Sequence, residues 1–313
     1  MINTKGEKIV EYILSTDSLT KRFKKHKAVN EVSLHIKKGD IYGFIGRNGA
    51  GKTTFLKMIC GLSKPTSGSF KLFGKSGHER DLQFSRIGAL IEAPGFYPKM
   101  TAFNNLKLKC ICAGINDDEH IKDLLELVGL SNVGKKKVKD FSLGMKQRLG
   151  IALALVGNPE FLVLDEPING LDPQGIAEVR DIILKLNREK QMTIIISSHI
   201  LEELSKIATN YGIINDGRLI QELTRDELFA KTKEHIEVKV NDSKTALQIL
   251  KDKGVNDIQL SGEHTLVIND MSVNTGDIVI ILTQNGINVE GISNKNDSLE
   301  DYFLSLTGGM SNG

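Results

Sequence analysis

The 313-residue sequence contains no tryptophan, and its aromatic fraction is only 5%. Single-stranded nucleic acid is gripped by stacking bases on aromatic rings, so a chain this poor in rings is ill suited to it. An excess of one charge is also missing: 41 Lys and Arg stand against 39 Asp and Glu, a formal net charge of +2. That balance argues against nucleic acid as the main partner. Cysteine is scarce. Cys60, Cys110 and Cys112 cannot build a disulfide framework, which points to a reducing compartment. Cys110 and Cys112 lie two apart in a helical-looking run with no companion His or Cys cluster, so they read as packing or surface residues rather than metal ligands. Long apolar runs are absent as well, and no stretch approaches the ~18 residues of a membrane span. The opening residues, MINTKGEKIVEYILSTD, lack the long apolar core and small-residue cleavage site of a secretory signal. A cytoplasmic protein is expected, with any membrane role exercised through a partner.

What is present has the balance of an ordinary globular chain, 40% hydrophobic and 26% charged, long enough for one large α/β domain and a smaller one. Residues 1–11 read as a polar tail. Tyr12 to Leu19 and Val32 to Ile36 alternate like strands, with a lysine-rich turn between them. Ser69 to Gly74 and Arg86 to Glu92 are further strand candidates. From about Thr101 to Gly157 the pattern is helical. Strands return at Phe161 to Asp165, Thr193 to Ser198 and Tyr211 to Asp216, with a helix from Gln174 to Glu189. Short all-apolar strands alternating with helices predict a buried parallel sheet, so the fold class is α/β with an inserted helical block. After a polar linker, 224–235, residues 236–313 follow the order βαββαβ, the split βαβ of a small α+β ferredoxin-like domain, and a closing helix.

The densest chemistry is FIGRNGAGKTT, Phe44 to Thr54. Gly46, Gly51, Lys52 and Thr53 stand in the register G-x-x-x-x-G-K-[ST], after a short apolar run and before a helical one. The glycines, Gly49 included, let the backbone curl until successive N–H groups, those of Arg47, Asn48 and Ala50 among them, face one anion. Lys52 is placed to reach the β- and γ-phosphates of a nucleoside triphosphate, and Thr53 to hold Mg²⁺, with Thr54 beside it. A helix starting near Gly51 adds the positive end of its dipole. In FLVLDEP, Asp165 and Glu166 end a buried strand, one to hold Mg²⁺ and the other to polarise the attacking water. The plain alternative is an acidic strand-to-helix turn. Ser142 and Gly144 in FSLGMKQRL offer a second anion site at a helix N-terminus, although alone they make only a cap. His199, just after a strand, could donate to a γ-phosphate. Phe23, among lysines, is a platform for an adenine ring or else a core aromatic. The basic runs TKRFKKHK and GKKKVKD read as solvated faces.

In order and spacing these parts resemble the ATP-binding subunit of ABC transporters, from about Tyr12 to Leu223. IGRNGAGKTT looks like the Walker A loop, FSLGMKQRL the signature, FLVLDEP the Walker B strand, NGLDP the D-loop with Asp172, and SSH the H-loop. Several segments, among them IEAPGFYPKMTAFNNL and the terminal SLEDYFLSLTGG, look most like bacitracin-resistance and lantibiotic-immunity exporters. The resemblance implies an ABC ATPase domain over 12–223 with a helical subdomain near 93–157. It implies ATP and Mg²⁺ as cofactors, and a head-to-tail dimer with ATP between one subunit's Walker A loop and the other's Ser142 and Gly144. It also implies a separate membrane permease that holds the protein on the inner face of the cell membrane, and ATP hydrolysis that powers antibiotic-peptide export or protection. A soluble ABC ATPase acting on ribosomes or DNA is the competing reading. Three positions depart from the family pattern. The signature reads Phe141-Ser142-Leu143-Gly144-Met145, Ile168 stands where Thr is usual, and Glu92 stands where most relatives carry glutamine. Glu92 is therefore expected as a third carboxylate near Asp165 and Glu166, within reach of Mg²⁺.

Overall fold

The structure, a computed structural model, describes residues 11–231, 234–270, 272–296 and 299–308. All but one residue of the expected N-terminal tail, two of the linker and the last five of the chain lie outside them. The chain divides into two compact units, Met1–Arg225 and Asp226–Gly313.

The first unit opens with β1 (Tyr12–Phe23), β2 (His26–Val32), β3 (His35–Lys37) and β4 (Ile41–Ile45), then α1 (Lys52–Ile59) and β5 (Ser67–Leu72). A short α2 (Gly77–Asp81) precedes β6 (Ile87–Leu90). Next come the helices α3 (Ala102–Cys112), α4 (Asp118–Leu127) and α5 (Leu143–Leu155). The chain returns through β7 (Phe161–Asp165), α6 (Pro173–Lys190), β8 (Thr193–Ser198), α7 (Leu201–Ser205), β9 (Asn210–Asn215) and β10 (Arg218–Thr224). The six-stranded sheet has the order β10-β9-β4-β8-β7-β6, parallel except for the β9–β10 hairpin. Every residue of β4, β7 and β8 is buried, as strands covered on both faces require. A second, antiparallel sheet gathers β1, β2, β3 and β5. Between the sheets α1 packs its apolar face, with the rings of Phe44 and Phe55 4.9 Å apart at the centre.

Side chains start the helices where the sequence changes from strand to helix. Thr101 and Asp117 accept the N–H groups that open α3 and α4, and Ser142 and Asp172 do the same for α5 and α6. Some expected boundaries move. The strand expected from Val32 to Ile36 is two, because β2 and β3 pair with different stretches of β1. The lysine-rich turn shrinks to Lys24 and Lys25, because β1 runs on to Phe23 through register shifts that interrupt its alternation. The candidate strands at Ser69 to Gly74 and Arg86 to Glu92 run instead over β5 and β6.

The second unit runs α8 (Arg225–Phe229), β11 (Glu234–Val240), α9 (Ser243–Asp252), β12 (Ile258–Leu260), β13 (Thr265–Ile268), α10 (Thr275–Gln284), β14 (Val289–Asn296) and α11 (Leu299–Leu306). Its sheet has the order β12-β13-β11-β14, and every neighbouring pair is antiparallel. Alternate residues Ile236, Val238, Leu266 and Ile268 bury one face of this sheet together with Leu250, Ile278 and Leu282 from α9 and α10.

Candidate active site

The central strand β4 delivers the chain into the loop Gly46–Gly51, and α1 leaves it. Two glycines there are required by space. A Cβ on Gly46 would lie 2.5 Å from the carbonyl oxygen of Ile214. One on Gly51, whose φ is +106°, would lie 2.2 Å from that of Ala28. The loop is tied down by Gly46 N–H to Ser198 O, Ala50 N–H to Arg47 O and Gly217 N–H to Ala50 O. The N–H groups of Asn48, Gly49 and Gly51 donate to no protein acceptor among the described residues. Arg47, Asn48 and Gly49 are exposed, whereas Ala50 is buried and Thr54 half-buried. Lys52 is only 5% exposed, and its ammonium donates to the carbonyls of Gly46 (2.6 Å) and Arg47 (3.2 Å), inside the curl of the loop.

The acidic pair sits beside it at the end of β7. Thr53 Oγ1 donates to Asp165 Oδ2 at 2.8 Å, and Ser197 Oγ donates to Asp165 Oδ1 at 2.5 Å. Glu166 adopts a left-handed backbone, φ 48°, rare for a side chain of this size. Its N–H is held there by Ser197 O (3.2 Å) and Ser197 Oγ (3.0 Å). Glu166 Oε1 lies 3.1 Å from Lys52 Nζ in an ion pair whose angles make no hydrogen bond, and this buried oxygen has no hydrogen-bond partner. Glu166 Oε2 lies 2.9 Å from His199 Nδ1. A carboxylate only accepts, so Nδ1 carries the proton. Ser197 is the residue that sequence reasoning missed. The signal was its place in β8 directly opposite Asp165, a register that no local pattern reveals.

The remaining candidates fall elsewhere. Glu92 lies two residues beyond β6 at φ 60°, is 62% exposed and pairs with Lys57 Nζ at 2.6 Å. Among the described residues no group of three metal-ligating side chains forms, so the expected third carboxylate is not assembled with Asp165 and Glu166. The Lys57 ammonium on α1 competes for it and wins in this conformation. Phe23 is 53% exposed, with the Lys21 ammonium 5.2 Å from its ring, so it is no core aromatic. Ser142, Gly144 and Asp172 belong to a second cluster. Ser142 Oγ caps α5 through Met145 N–H, and Asp172 Oδ1 caps α6 through Gly175 N–H. A Cβ on Gly144 would meet Gly175 and Leu171 only at 3.9 to 4.0 Å, so the two helix starts lie side by side.

These residues fit a nucleotide and its metal. Free backbone donors and a buried ammonium converge in one loop, which suits phosphate oxygens. The adjacent oxygens of Thr53 and Asp165 are hard donors of the kind Mg²⁺ takes while keeping several waters or phosphate oxygens. The ABC transporter family model matches residues 29–169. The bacitracin transport ATP-binding protein BcrA of Enterococcus faecalis is 42% identical over 303 residues, covering 96% of this chain and 98% of its own length. The chain belongs to the ABC transporter ATP-binding proteins. The lantibiotic transport ATP-binding protein SrtF of Streptococcus pyogenes is 45% identical over 68% of this chain and 92% of that protein. A solved ABC transporter ATP-binding cassette in its ADP conformation is 28% identical, with a TM-score of 0.63, over 69% of this chain and 92% of that one. This ABC subunit thus binds ATP and hydrolyses it to power transport, working with membrane permease components. No helix among its described residues is long and apolar enough to cross a membrane. A role on ribosomes or DNA finds no support in these relatives.

Proposed function

We propose that this ABC subunit drives export of, or self-protection against, an antibiotic peptide through a separate permease. The substrate class rests on its likeness to BcrA, which extends through the second unit, and to SrtF. The mechanism rests on one observation: the half-buried Glu166 carboxylate is held between the Lys52 ammonium and the His199 ring, with one buried oxygen lacking a hydrogen-bond donor. With ATP present, the Lys52 ammonium turns from Glu166 to the β- and γ-phosphates, and the freed Glu166 oxygen accepts a hydrogen bond from the attacking water. His199 Nδ1–H fixes the carboxylate, and the doubly protonated ring would have Nε2–H as well to donate to the γ-phosphate. Thr53 and Asp165 would hold Mg²⁺, which would supply neutralisation of the phosphate oxygens. Arg47 to Gly51 and Thr54 line the phosphates, and Phe23 stacks on the adenine. Ser142 and Gly144 of a second copy, with Asp172 beside them, close the site in a head-to-tail homodimer. ATP thereby favours the closed dimer and hydrolysis the open one, a difference in affinity that can shift a partner's conformation.

A groove of about 860 Å³ beside β6, α3 and α5 supports the permease side of this reading. Ile91, Ala93 and Pro94, which line it, flank Glu92. A permease segment seated there presses on the Glu92 loop, so exchange of Glu92 between Lys57 and the metal site couples transport to hydrolysis. Residues 12–223 form the ABC domain, with the helical subdomain near 93–157, and the linker of 224–235 carries α8 and the first residues of β11, from Asp226 on inside the second compact unit. Residues 236–313 form a ferredoxin-like domain, a reading supported by the βαββαβ order and the antiparallel sheet β12-β13-β11-β14. The subunit works on the cytoplasmic face of the membrane. The test is co-expression with its permease, reading ATPase rate in reconstituted complex and peptide resistance in cells. Lys52→Ala is expected to abolish both. Wild-type hydrolysis by Lys52→Ala would refute the phosphate-loop assignment, and full resistance without hydrolysis would refute the motor.

A further inference from the structure

Some lysines of this molecule stand beside a carboxylate: Lys27 with Glu31, Lys75 with Glu79, Lys122 with Glu119, Lys206 with Glu203. Lys99, Lys135, Lys136, Lys137 and Lys139 form a cluster without such partners. All are exposed, and none pairs with a carboxylate among the described residues. They come from segments far apart in sequence that the fold seats together. Val138 N–H donates to Met100 O at 2.9 Å, Lys139 N–H donates to Pro98 O at 2.8 Å, and Thr101 bridges Lys137. Asp140 is the lone carboxylate in these two segments, and the Lys136 ammonium lies 5.9 Å from the Phe141 ring. Tyr97 and Met100 stand exposed among the lysines, at 55% and 38%. In a chain of net charge +2, this is a local concentration of positive charge with apolar side chains set into it.

We propose that this surface binds the anionic headgroups of a lipid membrane. Its cations are all lysine. An acidic peptide is recognised best by the bidentate fork of arginine, whereas lysine is a hydrated point charge on a flexible stem, suited to a diffuse anionic interface. Clusters of four to eight such charges bind anionic lipid, and an exposed Tyr with its polar tip suits the same boundary. Tyr97 also lines the groove beside Glu92, so the patch continues the face on which a permease segment would sit. The inference goes beyond the transport reading and does not depend on it, because lipid binding needs neither nucleotide nor permease.

The experiment is co-sedimentation of the purified full chain with phosphatidylglycerol-rich vesicles and with pure phosphatidylcholine vesicles, at low and high salt. Binding only to the anionic vesicles, weakened by salt, is expected. A variant combining Lys135→Gln, Lys136→Gln, Lys137→Gln and Lys139→Gln should bind on the order of 10³-fold more weakly, at roughly fivefold per lysine. The matching Lys→Arg variant should bind like wild type. Absence of wild-type binding, equal binding to phosphatidylcholine, or a Gln variant that binds like wild type overturns the proposal. So does a Gln variant that keeps vesicle binding but loses the permease, which assigns the patch to an acidic protein segment. Should the Gln variant fail to fold, the lipid and salt dependence of the wild type still decides.

Discussion

Replacing Glu166 by glutamine preserves side-chain shape while removing the charge that faces Lys52 at 3.1 Å. At an effective dielectric of ~20, that separation corresponds to about 5 kcal/mol of bare attraction, most of it offset by desolvation of two largely buried ions. The Gly46 and Arg47 carbonyls still hold the ammonium, so the variant folds. The residual preference of Lys52 for Glu166 is what incoming ATP must overcome. If ~1.4 kcal/mol of it survives, Glu166→Gln binds ATP about tenfold more tightly than wild type. Hydrolysis moves the other way. Loss of a positioned base lowers the rate by roughly 10²- to 10⁴-fold, since glutamine cannot take a proton from water. Tight binding with little turnover should trap closed dimers. Titration with ATP, single-turnover hydrolysis and size-exclusion chromatography in Mg-ATP measure the three effects. Unchanged or weaker ATP affinity would refute the competition between Glu166 and nucleotide for Lys52. A hydrolysis rate within a few-fold of wild type would remove Glu166 from its role.

Gly46→Ala places a Cβ 2.5 Å from a backbone carbonyl that no rotamer change can move, so a loss of about 1–3 kcal/mol of stability is expected together with loss of ATP binding; an unchanged melting temperature with normal binding would contradict it. Asp242 caps α9, and the Thr245 hydroxyl followed by its N–H holds the Asp242 carboxyl below its ordinary 3.8. A folded value below the unfolded one stabilises above the unfolded value and is lost as pH falls through the folded one. Asp242→Ala should therefore speed hydrogen exchange in α9 near neutral pH, with the difference from wild type closing in acid. A pH-independent difference would show that charge has no part in the cap.

Much of the site was legible along the chain because its parts are local. The phosphate loop shows itself in a few consecutive residues, although the space that demands glycine at Gly46 and Gly51 is set by the distant carbonyls of Ile214 and Ala28. The apolar runs of β4, β7 and β8 announce buried parallel strands before any packing is known, and the acidic pair follows directly on one of them. Ser142 and Asp172 are caps that their own neighbours explain. Tertiary structure alone decided the rest, because it depends on which distant segments share an edge or a face. Parallel register sets Ser197 opposite Asp165, and that serine holds both the carboxylate and the strained Glu166 backbone. Packing of α1 beside the loop after β6 gives Glu92 to Lys57 instead of to Asp165 and Glu166. Residues 135–139 read as an ordinary solvated stretch, and with residues 97–100 they become one charged surface because backbone hydrogen bonds seat them together, where charges that were distant along the chain add.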